Sequence, residues 1–278
     1  MRITLAKSAG FCFGVKRALK IAEIAARKEK ETVMLGDIVH NEKVVKGILA
    51  LGIKKIKKLS HGKNKTLIIR AHGEPRRIIR LARQLGFKII DATCPMVKEI
   101  HRIACEMENK GYKIIVIGDK NHDEVRGIIG QLKKGGLVID NPKNIPVEKI
   151  SKIKKVAVVV QSTQELDNTL KIVSLLKRYI PELEFFNTIC RTTSVKQKEI
   201  KILPKKNDSM IIIGSKKSAN TKRLYEICCR INKKTYWINS AGEIKKEWFK
   251  DIKTVGVTAG ASTPDATIQE VIDYLRSF

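Results

Sequence analysis

Three cysteines in this chain stand at one fixed distance before three glycines, and that spacing marks an internal repeat. Cys12, Cys94 and Cys190 each precede by 24 residues a glycine that closes an apolar run: TVMLG at Gly36, KIIVIG at Gly118 and SMIIIG at Gly214. Between each cysteine and its run lies a stretch of helical periodicity: VKRALKIAEIAARK, MVKEIHRIACEMENK and SVKQKEIKILPKK. The last of these is expected to stop near Pro204, because proline lacks a donor and clashes with the preceding turn. One supersecondary unit is therefore used three times.

The register continues beyond the glycines. Four residues after them stand His40, His122 and Ser218, each leading into an amphipathic stretch: NEKVVKGILALG, DEVRGIIGQL and NTKRLYEICCRI. A second apolar run follows in every copy, TLIIRAHG ending at His72, VAVVVQST at Ser162 and TVGVTAGAS at Ser262. Short β-branched runs bounded by glycine read as buried strands, and the periodic stretches read as helices. Pro75 and Pro264 suit the first turn of the helices that follow, and Ser162 with Glu165 has capping-box spacing. A further run in the first two copies, FKIIDATC and LEFFNTIC, delivers the next cysteine. The third copy lacks such a run, and RITLAK at the start of the sequence is expected to supply that strand.

Strands alternating with helices predict an α/β fold with parallel sheets and right-handed crossovers. The expected architecture is three similar α/β units in a pseudo-threefold trefoil, with boundaries at 1–95, 96–189 and 190–278 and no Gly/Ser-rich linker. Ligands of such sheets bind beyond the carboxyl ends of the strands. The cysteines, the residues after the glycines and the second-run termini all fall at such ends, so they are expected to face one central cavity.

Composition limits the alternatives. The net charge of +28 would suit a nucleic-acid binder, but Lys and Arg are spread along the chain, with short runs such as Lys54–Lys58 and Lys152–Lys155. There is no zinc-finger spacing, aromatic RNA-binding motif or basic tail, so the charge reads as a lysine-rich solvated surface. Such a field favours the approach of a small anion or an acidic electron carrier. No run approaches the roughly 20 apolar residues that span a bilayer, and MRITLAKSAGFCFG has no apolar signal core. Six cysteines without dense spacing fit a reducing cytoplasm.

One cysteine from each unit suits a 4Fe–4S cluster with three thiolate ligands and one open iron. A structural zinc site wants four clustered ligands at short spacing, which this pattern lacks. Cys94–Pro95 reads as a helix entry, where the dipole stabilises a thiolate. Cys105, Cys228 and Cys229 lie inside helical stretches off the register and read as core or surface thiols. Ser218, Ala219 and Asn220 stand at one helix start, and Ser262 and Thr263 stand before another, where free N–H groups favour phosphate. His40 and His72 add imidazole donors, whereas His61 and His101 fall off the register and read as surface residues. Glu124 is a candidate proton source, with Asp123 beside it as an open alternative. The plainer reading of these polar residues is helix caps and a first-turn glutamate.

The motifs AGFCFGV at Cys12, HN at His40, AHG at His72, DATCP at Cys94, H-x-E-V-x-G from His122 and VTAGASTPD at Ser262 occur in order over almost the whole chain. Together they resemble the LytB/IspH family of 4-hydroxy-3-methylbut-2-enyl diphosphate reductases. The resemblance implies a trefoil around one 4Fe–4S cluster held by Cys12, Cys94 and Cys190, with the substrate hydroxyl at the open iron. It implies the last step of the non-mevalonate isoprenoid pathway, a two-electron, two-proton removal of an allylic hydroxyl that yields isopentenyl and dimethylallyl diphosphates. It places the substrate among His40, His72, His122, Ser162, Ser218, Asn220 and Ser262, with Glu124 as proton donor. A ferredoxin or flavodoxin would supply electrons, and three self-complete units predict a monomer.

Two positions depart from the family pattern. Ser162 replaces the threonine that meets the substrate's hydroxyl end, keeping the hydroxyl and losing a methyl. Ala219 replaces a serine, so one hydroxyl contact to the diphosphate is lost while its N–H remains. Quinolinate synthase and the diphthamide-forming radical enzymes also gather three cysteines, but the Glu124 stretch and the Ser218, Asn220 and Ser262 set are not expected of them. A basic nucleic-acid binder would leave the matched cysteines without purpose.

Overall fold

The computed structural model describes residues 1–277. The chain opens with β1 (Arg2–Leu5) and α1 (Phe13–Lys28). Next come β2 (Thr32–Leu35), α2 (Glu42–Ala50), β3 (Lys54–Ile56), β4 (Thr66–Ile69), α3 (Arg76–Gln84) and β5 (Lys88–Asp91). The pattern repeats as α4 (Pro95–Asn109), β6 (Lys113–Ile117), α5 (Asp123–Ile129), β7 (Gly136–Ile139), α6 (Val147–Ile150), β8 (Lys155–Val160), α7 (Leu166–Leu176) and β9 (Glu182–Phe185). It ends with α8 (Arg191–Ile200), β10 (Ser209–Ile213), α9 (Ala219–Ile231), β11 (Thr235–Ile238), β12 (Thr254–Ala259) and α10 (Asp265–Arg276).

These strands form three sheets of four, in the orders β3-β2-β4-β5, β7-β6-β8-β9 and β1-β12-β10-β11. Every pairing is parallel. The N-terminal strand takes the place expected of it: β1 pairs with β12, Arg2 opposite Thr254 through Leu5 opposite Val257. The chain divides into two compact units. One comprises Met1–Lys16, Val39–Gly47 and the residues from Arg191 onward, and holds the sheet of β1, β10, β11 and β12. The other comprises Arg17–Ile38 and Ile48–Cys190, and holds the remaining two sheets.

The apolar runs are continuous because helices cover both faces of a parallel sheet. In β6 and β8, Ile115, Ile117, Val156, Val158 and Val160 pack with Ile172, Val173 and Leu176 of α7. Their neighbours Ile114, Val116, Ala157 and Val159 turn the other way, onto Ile100, Ala104 and Met107 of α4 and Val125 and Ile128 of α5. In β10 and β12 the same alternation sends Ile211, Ile213, Val255 and Val257 to α10, and Met210 and Ile212 to α8 and α9. Ile115→Ala should cost about 2–5 kcal/mol, the range for emptying a buried isoleucine site, read as a lower urea midpoint of the whole chain.

The repeat glycines are required by space and by backbone. A Cβ on Gly118 would meet Val125 Cγ2 at 2.7 Å and Gln161 Cβ at 2.9 Å. Gly214 has φ +147°, and a Cβ there would meet Thr221 Oγ1 at 2.7 Å. Each glycine thus lets the strand end turn closely under the helix that follows.

Three local expectations are corrected. Pro75 and Pro264 occupy the cap position one residue before α3 and α10, not the first turn, since their extended ψ of 142° and 145° precedes the helical backbone. Ser162 does not cap α7. That helix starts at Leu166 with Glu165 at its cap, and the serine hydroxyl goes to Glu124 instead. The second strands end two or three residues before His72, Ser162 and Ser262, which lie in the turns that follow.

Candidate functional site

Each of the three cysteines is the residue immediately before a helix, because α1, α4 and α8 begin at Phe13, Pro95 and Arg191. Their amides are held alike, each by the turn after a second strand. Cys12 N–H donates to the Ala261 carbonyl (3.1 Å), Cys94 N–H to Ala71 (3.0 Å) and Cys190 N–H to Ser162 (3.0 Å). Proline at the first position of α4 fixes that helix entry without wasting a donor. At Cys12 the Val15 N–H points to Sγ (3.4 Å). Helix starts favour negative charge through their free N–H groups. Partly buried sulfurs so placed, with no disulfide among the described residues, are suitable donors for an iron–sulfur cluster.

In the unit of Arg17–Ile38 and Ile48–Cys190, a carboxyl group sits where its charge is costly. Glu124 is 2% exposed, in the first turn of α5. Its carboxylate accepts from Ser162 N–H (2.6 Å) and Ser162 O–H (2.8 Å). Burial pushes the Glu124 carboxyl up to about 7, against the opposing pull of the two Ser162 hydrogen bonds. It therefore holds or releases a proton near neutrality. Asp123 next to it pairs with Arg70 Nη1 (2.7 Å).

His122 caps α5, its Nδ1 accepting from Glu124 N–H (3.1 Å), which leaves the proton on the Nε2 edge. His72 lies edge-on to it, with ring centroids 5.5 Å apart. His101 is not a surface residue, contrary to the sequence reading. Its ring packs under the turn at Gly73, where a Cβ would meet its Cε1 at 2.8 Å, and burial lowers it to about 4. His61 is exposed, as expected.

The other unit carries a polar set at the start of α9. Ser218 caps the helix, Oγ accepting from Thr221 N–H (3.3 Å). Asn220 is 5% exposed, and its Oδ1 accepts from Ala261 N–H (3.0 Å), which fixes the amide's orientation. Its Nδ2 is then a buried donor with no protein acceptor. Ser262, 7% exposed, donates to the His40 carbonyl (3.2 Å). Asn41, not His40, caps α2, its Oδ1 accepting from Val44 N–H (3.1 Å). His40 thus sits one residue earlier relative to its helix than His122 or Ser218.

Two groups escaped the sequence reading as structural parts of the site. Gln161 accepts from Asp119 N–H (2.8 Å) and donates to Thr163 Oγ1 (3.0 Å), bracing the turns after β6 and β8. Lys196 is buried, although it stands in a stretch that reads as a solvated helix.

A family model described as LytB protein matches residues 3–276. The chain belongs to the LytB protein family. It is 41% identical over 276 residues to a 4-hydroxy-3-methylbut-2-enyl diphosphate reductase of Geobacter metallireducens, covering 99% of this chain and 97% of that one. The corresponding LytB-type reductase of Aquifex aeolicus is 40% identical, with 97% and 94% covered. A solved structure of (E)-4-hydroxy-3-methylbut-2-enyl diphosphate reductase, described as the terminal enzyme of the non-mevalonate pathway, superposes at TM-score 0.73 with 38% identity and full coverage of both chains. The structure of the Plasmodium falciparum reductase superposes at TM-score 0.91 with 29% identity, covering 99% of this chain and 87% of that one. Among the described residues no helix is long and apolar enough to cross a membrane.

Proposed function

We propose that this chain is a 4-hydroxy-3-methylbut-2-enyl diphosphate reductase, removing the allylic hydroxyl as water with two electrons and two protons to give isopentenyl or dimethylallyl diphosphate. Family membership over residues 3–276 supports the activity. The observation that carries the assignment of residues is Asn220: a buried amide, held by Ala261, whose NH₂ has no acceptor of its own. An unmet buried donor costs about 1–3 kcal/mol unless a ligand supplies the acceptor, and at a helix start that ligand is an anion.

The LytB family depends on iron–sulfur chemistry. The residues that would hold a 4Fe–4S cluster are Cys12, Cys94 and Cys190, matched in register and in amide anchoring. When bound, the cluster supplies the electrons and an open iron as Lewis acid. Ser218, Asn220, Ser262, His40 and His72 are assigned to the diphosphate, and His122 and Ser162 to the substrate's reacting end. Glu124 delivers a proton, and Ser162 orients its carboxyl. Serine in place of threonine keeps that hydroxyl bond, so the substitution costs a methyl contact alone. The domain boundaries at 1–95, 96–189 and 190–278, a monomeric state, a cytoplasmic location and a ferredoxin- or flavodoxin-type donor belong to the same reading.

Asn220→Asp tests the diphosphate site, because it replaces the unmet donor by a negative charge. KM should rise about tenfold or more with the iron content unchanged, as expected for losing a hydrogen bond to a charged partner. An unchanged KM would remove Asn220 from the diphosphate site.

A further inference from the structure

Lys196 is a charged side chain only 2% exposed, and burying an ammonium is costly unless its donors are met. They are met in full. Its Nζ donates to the carbonyls of Ser8, Gly10 (3.1 Å) and Ala259 (3.2 Å), three acceptors for the three N–H bonds a lysine carries. These carbonyls belong to the two segments that flank Cys12. Ser8 and Gly10 lie just before it in sequence, and Ala259 lies two residues before the Ala261 carbonyl that takes the Cys12 amide (3.1 Å). Lys196 thus anchors the Cys12 turn to α8, the helix that starts straight after Cys190.

Its hydrogen-bond partners are neutral carbonyls, which satisfy the ammonium without neutralising it. Burial lowers the Lys196 ammonium to about 8, and Cys12 and Glu199 pull the other way, so it stays charged at neutral pH. Glu199 is itself fixed on the same loop, accepting from Lys7 N–H (2.6 Å), Ser8 N–H (3.0 Å) and Ser8 O–H (2.5 Å). A buried cation bonded to the loop that carries Cys12, with a fixed anion three residues further along α8, is an electrostatic arrangement beyond what packing a turn requires. Reduction adds negative charge to an iron–sulfur group, and in a low-dielectric surrounding a buried cation makes that addition more favourable.

We propose that Lys196 is a positioning residue that holds the Cys12 turn and, through its buried positive charge, raises the reduction potential of the iron–sulfur group at Cys12. The inference rests on the cluster assignment above. It identifies which charge in a chain of net +28 acts on the redox centre.

The test is a reductive titration of the reconstituted whole chain, followed by visible absorbance and electron paramagnetic resonance. Lys196→Gln keeps donors for the carbonyls and removes the charge. Its oxidised-to-reduced ratio at a fixed potential should rise about tenfold, a fall of about 59 mV for one electron. Lys196→Arg should stay close to the wild type, and Glu199→Gln should shift the midpoint upward. A Lys196→Gln protein with full iron content and an unchanged midpoint would overturn the inference. So would equal shifts in Lys196→Gln and Lys196→Arg, which would mark a purely structural effect. If Lys196→Gln does not retain the cluster, Glu199→Gln decides, and an unmoved midpoint there overturns the inference. A wild-type chain that binds no cluster would overturn the cluster assignment, and this inference with it, before any variant is made.

Discussion

Glu124→Gln should retain the iron–sulfur group and lose about a hundredfold or more in kcat, the usual scale for removing a positioned general acid. Gln fills the same buried space and can still meet Ser162, but it has no proton to give. Two further measurements separate this from simple damage. Because the acid form is the donor, wild-type turnover should fall as pH rises through about 7, the value to which burial pushes this carboxyl. Ser162→Ala removes a hydrogen bond that favours the carboxylate, so the falling limb should move to higher pH. The contribution of Glu124 to the stability of the folded chain should also decline between about 4.5 and about 7, since the unfolded chain releases this proton first; it is read as the difference between the wild type and Glu124→Gln, because His101 contributes the opposite slope. Near-normal turnover in Glu124→Gln would reassign the proton donor.

The second large effect concerns the cysteines. Cys12→Ser, Cys94→Ser and Cys190→Ser should each lose nearly all bound iron and sulfide, all visible absorption and all turnover. The same change at Cys105 or Cys229 should leave these readouts intact. Cys105 accepts from Arg76 (3.3 Å) and donates to the Gln131 carbonyl (3.7 Å), which makes it a packing thiol off the register. Iron analysis of the anaerobically purified variants provides the check. An iron-loaded Cys190→Ser protein would break the threefold equivalence on which the ligand set rests.

Much of this was legible in the sequence because the repeat lies in residues that backbone geometry requires. Glycine at 36, 118 and 214, apolar runs in the central strands and a cysteine before the first helix of each copy are local demands, visible without a partner. The pairing of β1 with β12 followed from the same register, since the third copy lacked a last strand. The fourth strand of each sheet was not legible. In β3 it is the three residues KKI in a lysine-rich stretch, and β7 and β11 are four-residue edge strands half-covered by neighbours. The Ser162 hydroxyl was assigned to a cap because spacing alone favours a local partner. Its actual partner is 38 residues away, across two turns. His101 reads as a surface residue, and Lys196 goes unremarked among the surface lysines, for the same reason: burial is a tertiary property, and nothing in KQKE or EIHRI distinguishes the inward side chain from its neighbours.

Anaerobic turnover is the most direct test of the reductase activity. The reconstituted whole chain should be brown, and with a chemical reductant it should convert 4-hydroxy-3-methylbut-2-enyl diphosphate into both isopentenyl and dimethylallyl diphosphates, bleaching on reduction. A chain that stays colourless after reconstitution, or a cluster-loaded chain that returns the substrate unchanged, would contradict it.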